Sequence, residues 1–356
     1  MLPSRYKPLT GTVMPGGFGS VQKVWDSYLD RTVLFKSMQD ESNNDQLLNE
    51  IRGGLSRARS RHVVEIYDVI TSKSGGVRGI IIEYLGGDGY ADFHLKAKDD
   101  PYLYIKILYQ IGCALRDLHA VGIIHRDLKL DNIKSSESGV LKLFDFGISV
   151  SGVDYNTKMN RGTLVYAAPE LYVPHAKITP EMDIYALGVC AWALASDTYP
   201  RELRERPPQE SALAPSIETA LPGLLHTEII RMIDACLEPD PSLRPDADEF
   251  SKVFARHLTR GRHKGLFTEG NREVFELSHA KPNVTITVGS LGTLKANYDG
   301  LAFMVTGVSG HVYINNDPAV VGMILHESCV LTYGSPDLGS NRQWVTFTSS
   351  QPEVIL

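Results

Sequence analysis

Apolar positions along the chain follow two periods, and the period changes twice. Up to about residue 85 the alternation is mostly that of short strands: "FGSVQKVWDS" and "RTVLFKSM" are β-rich runs joined by the polar "YLD". "DQLLNEIRGGLSRA" then carries apolar residues at helical intervals, and "HVVEIYDVI" and "GIIIEYL" return to strand. From about 100 to 258 the spacing is helical, with Leu108, Ile111, Leu115 and Leu118 marking one face of "YIKILYQIGCALRDLHAVGII". Basic residues and glycines cluster in "ARHLTRGRHKG", and residues 259–265 read as a linker. Beyond it, "NVTITV", "LAFMVT", "HVYIN", "CVLTY" and "QWVTFT" alternate with "GSLG", "YDG", "NNDP" and "GSPDLGSN". That rhythm predicts a small all-β sandwich or barrel over 266–356. The expected fold class is α+β: a β-rich lobe over about 1–85, a helical lobe over about 86–258, and the β module.

Composition narrows the class. With 356 residues, 43% of them hydrophobic and 22% charged, the chain can bury at least one large core. No apolar run approaches the roughly 18 residues of a membrane span, and "MLPSRYKPLTGTV" lacks the apolar block of a secretory signal. Cys113, Cys190, Cys236 and Cys329 are scattered without a CxxC pair, so neither a zinc site nor a disulfide framework is indicated and a reducing, cytoplasmic setting is expected. A net charge of -6 argues against a general nucleic-acid binder.

Four polar signals interrupt this pattern. "MPGGFGSV" sets Gly16, Gly17 and Gly19 between two β runs, where backbone N–H groups can approach phosphate oxygens; alone it reads more readily as a hairpin. Lys36 sits in the apolar "VLFK", the position of an edge or snorkelling lysine unless an acid such as Glu50 on the following helix meets it. "HRDLKLDNI", His125 to Ile133, packs charge directly behind a greasy helix. "LKLFDFGIS" brings Asp145 thirteen residues after Asn132, and an Asp and an Asn on neighbouring loops suit Mg²⁺, which keeps waters and substrate phosphates among its ligands.

In the order GxxG, VxxK, E, HRDLKxxN, DFG and APE, these motifs resemble the signature set of the eukaryotic-like serine/threonine protein kinases over roughly residues 10–258. The resemblance implies a bilobal protein-kinase fold over 1–258 and an ATP-dependent phosphotransferase acting on protein hydroxyls. Asp127 would be the catalytic base and Lys129 would stabilise the transferring phosphoryl. Asn132 and Asp145 would hold Mg²⁺. Lys36 would fix the α- and β-phosphates, with Glu50 fixing Lys36. Gly16, Gly17, Gly19 and Val21 would cover the nucleotide, and the backbone of Glu83 to Leu85 would meet adenine, with Ile82 guarding the pocket behind. His125 would be a packed scaffold residue. Ala168-Pro169-Glu170 would close the activation segment, Glu170 pairing with Arg244, and Asp183 would lead the buried helix of the helical lobe. Lys129 and Thr163 resemble the serine/threonine-specific branch.

The sequence departs from that pattern in three places. Met14 replaces the first glycine of the phosphate-covering loop, and Leu34 and Lys134 stand where the adenine ceiling and floor would be. Arg126 beside Asp127 implies an anion, for which Ser149, Ser151, Tyr155 and above all Thr157 are candidate phosphorylation sites, with Asp154 as a partial substitute.

The alternatives are a pseudokinase or scaffold acting through nucleotide or protein binding, against which stand Lys36, Asp127, Asn132 and Asp145 together, and a small-molecule kinase. In the β module, "HVYINNDPAVVGMILHESCVLTYG" resembles the later strands of forkhead-associated domains, without the Gly-Arg and Ser-x-x-His signatures of phosphate contact. Residues 266–356 hold four Lys or Arg (Arg272, Lys281, Lys295, Arg342) against eight Asp or Glu, a poor balance for nucleic acid. A docking or autoregulatory role is preferred to phosphopeptide binding. The expected partners are protein substrates with Ser/Thr acceptors, with neither nucleic acid nor membrane.

Overall fold

The computed structural model describes residues 2–16, 19–38, 60–72, 75–144, 163–269, 272–326 and 328–355. They divide into two compact units, one ending at Phe254 and one spanning Ala255–Ile355.

The first unit opens with an antiparallel five-stranded sheet in the order β1-β2-β3-β5-β4. Its strands are β1 (Tyr6–Gly16), β2 (Gly19–Asp26), β3 (Arg31–Met38), β4 (Ile66–Thr71) and β5 (Val77–Glu83). Tyr6, Val24, Val33, Ile70 and Ile81 make its core. A larger core belongs to the helices that follow. After the single turn α1 (His94–Ala97) comes α2 (Pro101–His119), started by Pro101 and by the Asp100 carboxylate, which accepts the Leu103 N–H at 2.8 Å. Its buried stripe includes Tyr104, Ile107, Leu108, Ile111, Leu115 and Leu118, and Gly112 supplies the gap that the Phe250 ring fills. The helix stops at His119, five residues before the apolar pattern runs out, because the chain reverses at Gly122 (φ +79°) and Ile123 N–H returns to the Leu118 carbonyl.

The helix α3 (Glu181–Ala195) is buried at every position from Met182 onward, so helices pack all round it. Thr227–Cys236 (α4) and Ala247–Leu258 (α5) complete the helical set among the described residues. Between α2 and α3 lies a two-stranded hairpin, β6 (Ile133–Ser135) with β7 (Leu141–Leu143). It is tied to the chain ahead of β4: Val64 N–H donates to Leu143 O at 2.9 Å and Leu143 N–H to His62 O at 2.8 Å.

The second unit contains a three-stranded and a six-stranded sheet, which do not close into one barrel among the described residues. The smaller is β10 (Asn283–Val288), β11 (Gly292–Tyr298) and β12 (Phe303–Gly310). The larger joins β8 (Lys264–Glu269), β9 (Arg272–Ser278), β13 (Val312–Ile314), β14 (Asp317–Pro318), β15 (Ser328–Tyr333) and β16 (Gln343–Ser349) in the order β14-β13-β15-β16-β8-β9. Strand β8 thus begins at Lys264, inside the stretch expected as linker. Both sheets turn alternate residues into a single core, where the Phe303 and Phe347 rings meet edge to face at 5.4 Å. The "NND" turn is a two-residue hairpin with Asn315 and Asn316 both at positive φ, the geometry that favours Asn.

Candidate active site

The charged stretch after α2 is folded around one buried carboxylate. Asp183, in the first turn of α3 and 1% exposed, accepts the backbone N–H of His125 at 2.7 Å and of Arg126 at 2.9 Å, while His119 Nε2–H donates to it at 2.8 Å. These bonds fix Arg126 at φ +67°, a strained conformation for a residue with a side chain. The strain is held because both flanking N–H groups are already committed. His125 is fully buried and its Nδ1 accepts the Asp127 N–H at 3.4 Å, so its ring supports the loop and has no access to substrate.

Beyond this turn the functional side chains converge. Lys129 Nζ donates to both Asp127 carboxylate oxygens, at 2.8 and 3.1 Å. Asn132 Nδ2 donates to the Asp127 backbone carbonyl at 2.8 Å and to Oδ2 at 3.0 Å. The short 3-10 turn Leu130–Asn132 sets this spacing, closed by Asn132 N–H on Lys129 O at 3.0 Å. Since both hydrogens of the Asn132 amide go to Asp127, its Oδ1 is left as the acceptor, the kind of hard oxygen a Mg²⁺ ion takes. Phe144 N–H donates to Asn132 O at 3.0 Å, at the end of β7.

On the other sheet, Lys36 lies in β3 opposite Val21 on β2 and Ile80 on β5. Gly16 and Gly19 pair at the end of the β1–β2 hairpin, next to that register. Gly17, Glu50 and Asp145 lie outside the described residues, as do Ser149, Ser151, Asp154, Tyr155 and Thr157. Glu83 ends β5, paired with Val33, and Leu85 is buried. Just past it, Gly87 N–H donates to Ser135 O at 3.0 Å, and Ser135 N–H to Asp88 O at 3.0 Å, so the connecting segment lies on the β6–β7 hairpin.

Glu170 and Arg244 form two parallel bonds, Nη1–Oε1 at 2.7 Å and Nη2–Oε2 at 2.8 Å. Arg244 also donates to the carbonyls of Glu238, Glu181 and Pro239, and its side chain is wholly buried. It is a structural rivet. Nearby, Tyr166 and Tyr199 share a hydroxyl bond at 3.0 Å, and burial raises the pKa of both phenols. A small cavity under the loop is lined by Arg126, Asp127, Tyr166, Ile178 and Met182.

The holding role of Asp183, its contact with His119, and the close approach required at Gly87 were not read from the sequence. Nor was Lys142, a buried lysine on β7 whose Nζ lies 2.7 Å from Glu83 Oε2. The only signal for it was a charge between two leucines in "LKL".

Comparison with known proteins adds four observations. The protein kinase domain pattern matches residues 11–253. A serine/threonine-protein kinase of Corynebacterium efficiens (drp72) is 29% identical over 67% of this chain and 49% of its own length. A probable serine/threonine-protein kinase of Bifidobacterium longum (pknA2) is 24% identical over 78% of this chain and 35% of its own, and the maternal embryonic leucine zipper kinase of Xenopus tropicalis 32% over 53% and 30%. The chain therefore spans half or less of the length of these relatives.

Proposed function

The chain belongs to the protein kinase family, and from that premise we propose that it is an ATP-dependent serine/threonine protein kinase, with Asp127 at the centre of its chemistry. The observation that carries this reading is the clasp on Asp127, whose carboxylate is oriented by Lys129 and Asn132 together. Phosphoryl transfer asks little covalent work of a protein; it asks that donor, acceptor and charge be held in line.

As the acceptor hydroxyl oxygen bonds to the γ-phosphorus, its proton passes to Asp127. The bond from that phosphorus to the bridging oxygen breaks, and ADP leaves. Among the described residues Asp127 Oδ1 carries only the longer Lys129 contact, which leaves it open to the hydroxyl. Lys129 would offset charge on the moving phosphoryl. Asn132 Oδ1 and Asp145 would hold Mg²⁺, which neutralises phosphate charge when bound; Asp145 directly follows Phe144, itself bonded to Asn132. Lys36, oriented by Glu50, would take the α- and β-phosphates, with Gly16, Gly17, Gly19 and Val21 above them. The backbone of Glu83 to Leu85 would meet the adenine edge. Thr157 remains the favoured phosphorylation site for an anion facing Arg126.

For the second unit we infer a forkhead-associated-like sandwich over about 266–356, supported by two sheets sharing one core. Docking or autoregulation suits it better than phosphopeptide binding, because the phosphate-contact signatures are missing from its sequence. Among the described residues no helix is long and apolar enough to cross a membrane, and four buried free cysteines suit a cytoplasmic setting.

The test is transfer of labelled phosphate from Mg-ATP to a generic protein substrate, beside Asp127→Asn. Loss of at least a hundredfold in kcat, with phosphoserine or phosphothreonine as product in the unaltered protein, is expected. Nucleotide binding without transfer would overturn the reading. A chain ending near residue 260 that matches the full chain in turnover and selectivity would overturn the regulatory role of the second unit.

A further inference from the structure

Lys142 and Glu83 make an ion pair in a place where burial makes ion pairs expensive. Lys142 Nζ lies 2.7 Å from Glu83 Oε2, and the two side chains are only 10% and 16% exposed. Desolvating both charges costs free energy that the pair recovers only with good geometry and further hydrogen bonds. Both are present: Glu83 Oε2 also accepts the Glu65 N–H at 3.2 Å, and Glu83 N–H donates to Glu65 O at 2.9 Å.

The pair spans two elements with different duties. Glu83 is the last residue of β5, where the chain leaves the five-stranded sheet. Lys142 is the middle residue of β7, between the fully buried Leu141 and Leu143. Its cross-strand partner is Lys134, in the strand that begins directly after Asn132. Directly paired residues share a face of the hairpin, so Lys134 and Lys142 stand side by side and Glu83 supplies a carboxylate to one of them.

We propose that Lys142 is a positioning residue for nucleotide binding: through Glu83 it fixes the Glu83–Leu85 backbone at a set distance from the hairpin that begins directly after Asn132. This rests on the kinase reading above. Without Lys142, Glu83 keeps its bonds to Glu65, but the end of β5 loses this tie to the hairpin and can shift against it. An adenine edge misplaced by a fraction of an ångström would weaken ATP binding, while the Asp127 clasp, held by Lys129 and Asn132, would keep its geometry.

Lys142→Met removes the charge and keeps the stem. In the full chain it is expected to raise both the Kd for Mg-ATP, measured by calorimetry, and KM for ATP by about tenfold, with kcat within about twofold. Lys142→Arg restores both to within about threefold, since a guanidinium can also reach the carboxylate. In the Glu83→Gln, Lys142→Met double variant the loss of ATP affinity is no larger than in Lys142→Met alone. Should Lys142→Met fail to fold, Lys142→Gln takes its place, with a weakening of about three- to fivefold expected. An ATP affinity within twofold of the unaltered protein for a folded Met or Gln variant overturns the proposal, and so does a kcat loss as large as the loss of affinity. The calorimetric reading needs no phosphoryl transfer, so an unaltered protein that binds ATP and transfers nothing would sink the kinase reading alone.

Discussion

Asp183 holds Arg126 by the backbone: its Oδ1 accepts the Arg126 N–H at 2.9 Å and keeps that residue at φ +67°. The carboxylate sits 57 residues downstream of Arg126 and is itself buried, so it is a scaffold for the reaction and has no part in it. Asp183→Asn keeps the shape and gives up one of the two acceptor oxygens. The variant is expected to lose about 2 to 4 kcal/mol of stability in urea and at least tenfold in kcat, with KM for ATP changed by no more than about threefold. An unaltered kcat in a folded Asp183→Asn protein would show that the loop keeps its shape without this anchor.

Arg244 meets every nearby acceptor it can reach, with Glu170 bidentate and three carbonyls besides. A lysine keeps the charge but cannot reproduce the fork. Arg244→Lys should therefore cost about 3 kcal/mol, and Glu170→Gln less, because an amide still accepts one of the two bonds. Urea unfolding followed by tryptophan fluorescence checks both. The two losses should not add in the double variant; additive losses would mean that each residue acts through other contacts.

What could be read from the sequence were the short-range features. "HRDLKLDN" was legible because Asp127, Lys129 and Asn132 lie within one turn of chain, so their convergence needs no distant partner. The loop-holding role of Asp183 and the Lys142–Glu83 pair were illegible because each depends on a partner more than fifty residues away to which no motif points, whereas the equally distant Glu170–Arg244 pair was legible only through the family resemblance. Strand β8 was hidden by Gly265, which reads as a loop signal. There the missing side chain makes room for the rings of Phe347 and Phe303. The helix end at His119 shows the same limit: local pattern marks an element, and tertiary contact decides where it stops.

His62 is held neutral by its surroundings. Burial lowers its pKa below the usual histidine value, and Nδ1–H donates to Leu141 O at 3.0 Å. Its unfolded pKa, about 6.5, lies above the folded one, so below that pH the unfolded chain binds the extra proton. The stability it contributes is complete above about pH 6.5 and is lost as pH falls toward the folded value. His62→Asn, which does not titrate, should flatten the rise of the first unit's unfolding midpoint with pH below about 6.5. The shifted His263 belongs to the second unit and calls for a separate probe there. An unchanged slope would mean that burial does not lower the His62 pKa in the fold.

Gly87 marks where the segment after β5 presses on the β6–β7 hairpin. A Cβ there would lie 2.5 Å from the Ser136 carbonyl oxygen and 2.7 Å from that of Ser135, both backbone atoms that cannot swing away. Gly89, two residues on, would meet nothing within 4 Å. Gly87→Ala must therefore push the connecting segment off the hairpin, stretching the Gly87 N–H bond to Ser135, at a cost of about 1 to 3 kcal/mol. Gly89→Ala should be close to neutral. Because the displaced segment directly follows Glu83 to Leu85, Gly87→Ala should also weaken Mg-ATP binding, read by calorimetry, whereas Gly89→Ala leaves it as it was. Equal affinities and equal urea midpoints for the two variants would show that the close approach at Gly87 relaxes freely, and that this contact does not set the position of the connecting segment.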